Sequence, residues 1–105
     1  IGFNEPPCGP ETRTHQVTLD ELTIKDNARL FFHGKIEEVP TSAVTMGVGT
    51  ILDAKKVILL AWGEGKADII KRSVKDAPSE MCPASWLQNH ADCEFVLDTA
   101  AAAKL

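Results

Sequence analysis

Residues 57–62, Val57-Ile58-Leu59-Leu60-Ala61-Trp62, constrain the fold more than any other stretch of the chain. They form its longest apolar run. An unbroken run of this length, with no alternation, fits a strand of a parallel sheet that is apolar on both faces. It is far shorter than the roughly 20 residues needed to span a bilayer. Gly63-Glu64-Gly65-Lys66 follows at once. Residues 67–74 come next, with Ile69, Ile70 and Val74 recurring at helical spacing. Strand, glycine turn, lysine and helix in that order make a βα unit, and ligands in open α/β sheets bind at the carboxyl ends of such strands.

The rest of the chain extends this pattern. Residues 14–19 alternate around Val17 and Leu19 as a short strand. Asp20 is placed to cap a helix running to Phe32, which Gly34 ends. The apolar residues of that helix, Leu22, Ala28, Phe31 and Phe32, make no long stripe. Val39-Pro40 marks a turn, and residues 43–47 form a strand leading into Gly47-Val48-Gly49-Thr50, where two glycines permit close backbone approach. A short helical turn follows at residues 50–52. Beyond Pro78 and Pro83 come a short helix at residues 85–90, a strand at residues 93–97 and an alanine-rich, helix-prone stretch at residues 99–104. Alternating strands and helices predict an α/β fold with a largely parallel sheet and no internal domain boundary.

Composition excludes several classes. The net charge is −4, with no run of Lys or Arg, which argues against nucleic acid as a partner. No apolar stretch predicts a membrane segment, and the first ten residues lack the pattern of a signal peptide. Three cysteines, Cys8, Cys82 and Cys93, are widely spaced and fit a reduced, cytoplasmic setting better than a disulfide framework. His15, His33 and His90 lack metal-type spacing, so neither a metal nor an organic cofactor is expected. A small anionic ligand needs only two or three placed cations, and the global charge leaves that open.

Three residues stand out as site candidates. Glu5 lies in Ile1-Gly2-Phe3-Asn4-Glu5-Pro6, where Pro6 holds it extended and able to aim a carboxylate into a cleft. The ordinary alternative is a surface-loop glutamate. Lys66 follows the glycine turn at the start of a helix, where a cation is disfavoured unless an anion sits nearby. The alternative is a solvated lysine. Arg29 carries a planar guanidinium suited to paired phosphate oxygens. Its alternative is a surface ion pair with Asp26. Trp62 and Trp86 read as packing residues, with Trp62 close enough to the glycine turn to border a ligand. His15 reads as a strand or loop residue, and His33 and His90 as exposed turn residues.

These elements together resemble the glucosamine-6-phosphate deaminase (isomerase) family. The opening is similar to the second half of the family's Asp-Gly-His, Ile-x-Phe-Asn-Glu-Pro signature. Asn27-Ala28-Arg29 before two aromatics resembles its Arg-Phe-Phe element, with Leu30 added. Residues 43–54 resemble its Ala-Leu-Thr-x-Gly-x-Gly-Thr-x-x-Asp-Ala run, and Gly63-Glu64-Gly65-Lys66-Ala67 its Gly-x-x-Lys-Ala. The resemblance implies a parallel-sheet, Rossmann-like three-layer fold of which residues 1–105 are the C-terminal part. It implies conversion of glucosamine 6-phosphate to fructose 6-phosphate and ammonia without metal or cofactor. Glu5 would support the histidine that opens the sugar ring, and Arg29 and Lys66 would bind the substrate phosphate, Arg29 from a mobile lid. The proton-transfer carboxylate, the signature's Asp and His, and a phosphate loop would lie upstream, so the chain alone is expected to be inactive. The missing part would extend the same sheet, and self-association through an open edge is plausible on that geometry. A related 6-phosphogluconolactonase and a non-catalytic sugar-phosphate-binding module are the alternatives.

One departure generates a prediction. Many bacterial members of the family bind an acetylated sugar-phosphate activator through basic residues after Asn-Glu-Pro. Here His15 and Val17 stand where Arg and Lys are common, while Arg13 and Thr14 fit the pattern. Two charge-assisted contacts at about 1.5–3 kcal/mol each exceed a typical coupling energy of about 1–3 kcal/mol. N-acetylglucosamine 6-phosphate is therefore expected to leave the steady-state curve of the intact enzyme nearly unchanged. A shift from sigmoidal to hyperbolic kinetics on its addition would show that Arg13 or another cation replaces those two.

Overall fold

The apolar run forms one strand of a parallel pair. The structure, a computed structural model, describes all 105 residues. Its strands are β1 (His15–Thr18), β2 (Ser42–Thr45), β3 (Val57–Ala61) and β4 (Cys93–Leu97), and its helices are α1 (Glu21–Phe31), α2 (Val48–Leu52) and α3 (Ala67–Lys75). Short 3-10 helices occupy Ile36–Glu38, Glu64–Lys66 and Pro83–Asn89. β3 pairs with β4 in parallel, Val57 opposite Cys93 and Ala61 opposite Leu97. The α/β class and the parallel pairing thus follow the sequence pattern.

The other pairing departs from it. β1 and β2 run antiparallel, His15 opposite Thr45 and Thr18 opposite Ser42, as a separate two-stranded sheet. The excursion through α1 and the Val39-Pro40 turn returns the chain alongside itself. No crossover helix lies over a sheet there, and an antiparallel ladder needs none.

α1 begins where expected. The Asp20 carboxylate accepts the Thr23 N–H at 2.7 Å, satisfying a donor that the helix itself leaves free. At the other end the N–H groups of Phe32 and Gly34 both donate to the Ala28 carbonyl, at 3.1 and 2.7 Å, with Gly34 at φ +79°. Only Ala28 of this helix is buried, while Leu22, Leu30 and Phe31 are exposed. That matches the broken stripe in the sequence.

The core forms where α2 and α3 meet the Pro83–Asn89 helix. Val48, Ile70, Ser73 and Leu87 are all buried there. The face of α3 differs from the expected one: Ala67, Ile70 and Ser73 point inward, at i, i+3 and i+6, and Ile69 and Val74 lie partly in solvent. Ser73 tolerates burial because its hydroxyl donates to the Ile69 carbonyl at 2.7 Å. The alanine-rich C-terminal stretch, expected as a helix, forms only successive turns: intrinsic propensity alone does not decide so short a segment.

The parallel pair is covered on one side. Leu59 and Ala61 face the core side, whereas Ile58 (52% exposed), Leu60 (62%) and Trp62 (70%) lie open with Val96 of β4. The sequence predicts cover on both faces, and these 105 residues supply it on one.

Gly47 and Gly49 allow the chain segment 10–13 to lie directly on the start of α2. The Gly49 N–H donates to the Thr12 carbonyl at 2.8 Å, and a Cβ on Gly47 would collide with the Thr12 and Arg13 carbonyl oxygens. Gly47→Ala is therefore expected to lower stability by about 1–3 kcal/mol or more in chemical denaturation. Gly65→Ala, with nothing within 4 Å of its Cβ, is expected to change stability by less than about 1 kcal/mol. Equal effects at the two positions would remove the close approach as the cause.

Candidate functional site

The opening loop is fastened down before it presents its carboxylate. Asn4 is buried, and its Nδ2 donates to the carbonyls of Ile1 (2.9 Å) and Met46 (2.8 Å). The Phe3 N–H donates to Thr45 Oγ1 at 3.0 Å, and that hydroxyl donates to the Met46 carbonyl at 3.2 Å. Gly2 adopts φ +56°, and a Cβ there would lie 2.6 Å from Thr45 Oγ1. Glycine is required on both counts. Residues 2–4 are thus tied to the end of β2.

Glu5 comes next and is exposed. It lies on the wall of a cleft of about 300 Å³ that also includes Thr12, His15 and Thr18. Partial desolvation, then the like charge of Asp20 and a hydrogen bond to it, push the Glu5 carboxyl above the usual glutamate range. Asp20 is held below its usual range, chiefly by the Thr23 backbone N–H it accepts as the cap of α1. The two carboxyls therefore titrate unequally, with the proton favoured on Glu5. Sequence reading identified Asp20 as a cap and missed this second contact, because nothing in the local sequence joins residues 5 and 20.

His15 Nδ1 lies 2.7 Å from the Arg13 carbonyl. A carbonyl only accepts, so Nδ1 carries the hydrogen and Nε2 is left as the free acceptor of the neutral ring. Arg13 pairs with Asp53 at 2.8 Å. His90, expected as an exposed turn residue, is half-buried and joins two elements. Its Nε2 donates to the Ala54 carbonyl at 2.6 Å, and its Nδ1 accepts the Asp92 N–H at 2.9 Å.

Lys66 sits just beyond the carboxyl end of β3, as the strand-turn-helix pattern requires. Gly63 adopts φ +93°, its N–H donates to both Asp98 carboxylate oxygens at 3.1 Å, and its carbonyl accepts the Lys66 N–H at 3.1 Å. Lys66 is exposed and has no carboxylate within ion-pair distance. It borders a hollow of about 280 Å³ with Leu60, Ala61 and Trp62 and another of about 260 Å³ that reaches Ile1 and Ser73. Trp62 is thus beside Lys66, whereas Trp86 is a packing residue whose Nε1 donates to the Cys8 carbonyl at 3.0 Å.

Arg29 occupies the last turn of α1 and lies 3.7 Å from Asp26, the surface pair that the local sequence allows. It borders none of the three hollows. The structure places Glu5, Lys66 and Arg29 on three elements and does not bring Arg29 into either hollow beside Lys66. No three His, Cys, Asp or Glu side chains converge as a metal site. The arrangement offers one unpaired cation at a strand's carboxyl end and, separately, one carboxyl of raised proton affinity in a cleft.

Residues 15–96 match the family model described as glucosamine-6-phosphate isomerases/6-phosphogluconolactonase. Among curated relatives, the glucosamine-6-phosphate deaminase of Shewanella loihica is 56% identical over 105 residues, 100% of this chain and 38% of that protein. The glucosamine-6-phosphate deaminase of Streptomyces coelicolor is 53% identical over the same length, covering 40% of that protein. The chain thus spans about two-fifths of the length of these relatives. Among solved structures, a monomeric glucosamine-6-phosphate deaminase superposes with a TM-score of 0.89 at 42% identity, over 98% of this chain and 42% of that one. A 6-phosphogluconolactonase from Trypanosoma cruzi superposes at 0.68 with 23% identity, over 99% of this chain and 36% of that one, a likeness of fold.

The paired carboxyls carry a prediction of their own. In an NMR titration the Glu5 side chain should show a midpoint above that of an ordinary glutamate. Asp20→Asn should lower it part of the way, since desolvation remains when the like charge is gone. A Glu5 midpoint indifferent to Asp20→Asn would exclude Asp20 as a cause.

Proposed function

The chain belongs to the glucosamine-6-phosphate isomerase/6-phosphogluconolactonase family, and from that premise we propose that it is the C-terminal part of a glucosamine-6-phosphate deaminase. The whole enzyme would take up water and convert glucosamine 6-phosphate to fructose 6-phosphate and ammonia. The observation that carries this reading is the 56% identity to a deaminase across all 105 residues. The lactonase alternative has a 23% likeness of fold behind it, and the non-catalytic module has the partial span of the relatives.

In this reading residues 1–105 are part of one α/β domain without an internal boundary. The rest of a Rossmann-like sheet would extend the edges of the β3–β4 pair, and its second helical layer would cover the open face formed by Ile58, Leu60, Trp62 and Val96. Support comes from the exposure of those side chains and from the share of the relatives' length that the chain spans. A cytoplasmic setting is in keeping with three free thiols, Cys8, Cys82 and Cys93. The structure has no helix long and apolar enough to cross a membrane. Association of copies through the open sheet is a secondary part of the proposal.

The roles follow from chemistry and position. Lys66 holds the substrate phosphate at the carboxyl end of β3, where its charge has no internal partner. Arg29 supplies a second cation when α1 moves over the site and the guanidinium leaves Asp26, an exposed pair that costs little to break. Glu5 supports and orients the histidine that moves a proton during ring opening, from the wall of the cleft it shares with Thr12, His15 and Thr18. The carboxylate that moves the proton between C1 and C2 belongs to the portion upstream. General acid–base chemistry of this kind needs no metal or organic cofactor.

The test is kinetic. The longer enzyme should release ammonia and fructose 6-phosphate in equal amounts from glucosamine 6-phosphate. Lys66→Ala and Arg29→Ala should each raise KM about tenfold or more while changing kcat far less, since each removes a charge-assisted contact worth about 1.5–3 kcal/mol. KM values unchanged in both variants would take phosphate binding away from these residues. Hydrolysis of a sugar lactone in place of ammonia release would move the whole reading to the lactonase.

A further inference from the structure

We propose that Asp98 is a positioning residue that sets Lys66 for its anion, a role that rests on Lys66 as the phosphate ligand. Asp98 directly follows β4, and the register that sets Ala61 opposite Leu97 brings it alongside the glycine turn after β3. Both of its carboxylate oxygens lie 3.1 Å from the Gly63 nitrogen. The Gly63 carbonyl in turn accepts the Lys66 N–H at 3.1 Å. Two successive hydrogen bonds therefore run from the Asp98 side chain to the Lys66 backbone. The linking residue is at φ +93°, which only glycine adopts freely, so the turn has a direction to be held.

Asp98 is itself fixed. Its Oδ1 accepts the Ala101 N–H at 2.8 Å, and its carbonyl accepts the Ala102 N–H at 3.1 Å. Ala101 is fully buried, which anchors that turn. Further on, Lys104 pairs with Asp68 in the first turn of α3. The segment 98–104 thus holds the chain on both sides of Lys66, at Gly63 and at Asp68. An acidic side chain at the anion-binding end of a sheet would by charge alone weaken binding of a phosphate. Here its lone pairs are directed to backbone donors, so its contribution is geometric.

Charge and geometry predict opposite results, which makes the role testable. In the longer enzyme, Asp98→Ala should raise KM for glucosamine 6-phosphate about tenfold with kcat nearly unchanged, the scale of one charge-assisted bond. Asp98→Asn keeps an acceptor oxygen and should restore KM to near the parent value. In a Lys66→Ala background, Asp98→Ala should add almost nothing, because it acts through that lysine. Amide exchange followed by NMR gives a readout independent of turnover: the Gly63 and Lys66 amides should exchange about tenfold faster in Asp98→Ala and near the parent rate in Asp98→Asn. A KM that falls in both Asp98 variants would replace positioning by simple repulsion. A full additional loss on top of Lys66→Ala, or unaltered exchange at Gly63 and Lys66, would also overturn the proposal. Failure of the phosphate reading is separate: Lys66→Ala would then leave KM unchanged, and the exchange rates would still decide whether Asp98 holds the turn.

Discussion

The segment that leads into β1 rests on the chain that leaves β2 through one close backbone approach. Segment 10–13 lies on the start of α2 because Gly47 and Gly49 have no side chains there, and the Thr12 carbonyl accepts the Gly49 N–H at 2.8 Å. Neighbouring contacts reinforce it. The Cys8 N–H donates to the Glu80 carbonyl at 2.9 Å, and Trp86 reaches the Cys8 carbonyl. Through these bonds the opening loop is fixed both to β2 and to the helix Pro83–Asn89 that packs on α3. These bonds place the loop that carries Glu5 against the helix that packs on α3, whose start carries Lys66.

The distribution of charge follows from the same framework. The chain is acidic, with a net charge of −4, and cations such as Arg13, Arg29, Lys56 and Lys104 lie beside carboxylates. Lys66, like Lys25, Lys55, Lys71, Arg72 and Lys75, has no carboxylate within ion-pair distance, and it differs in standing at a helix start beside two hollows, where its own charge is unfavourable. An anion from outside would satisfy both the side chain and the helix end. Arg29 is held differently: an exposed pair with Asp26 is weak enough to exchange for a phosphate. In the proposed reading Lys66 is placed in advance and Arg29 would arrive with α1, whose Leu22, Leu30 and Phe31 are exposed.

Much of this was legible in the sequence where a single residue type forces a conformation. The strand at residues 57–61, the Asp20 cap, the Gly34 stop and the close approach at Gly47 all follow from local chemistry. The antiparallel pairing of β1 with β2 did not, since strand direction is set by how the intervening α1 excursion returns. The buried face of α3 was misread because Ser73, polar by type, satisfies its hydroxyl within the helix and can turn inward. The alanine-rich end looks helical by propensity, yet it forms successive turns, since propensity is a weak guide for so short a segment. Of the proposed site, Glu5, Lys66 and Arg29 are named through family likeness; the structure puts Glu5 and Lys66 each on a hollow and leaves Arg29 beside Asp26. The contacts of Asp20 with Glu5 and of Asp98 with Gly63 were not legible, because they join residues far apart in sequence. An acidic residue immediately after a parallel strand was the one available signal for Asp98.

The central proposal is that these residues form one arm of a divided active site, which binds and orients the substrate while proton transfer between carbons needs the rest of the enzyme. The most direct measurement is ammonia release from glucosamine 6-phosphate by the purified 105-residue chain, set beside the longer enzyme. The account predicts release by the longer enzyme and none above background by the chain, since removing members of one catalytic unit costs several orders of magnitude. Release by the chain alone at the rate of the intact enzyme would contradict it.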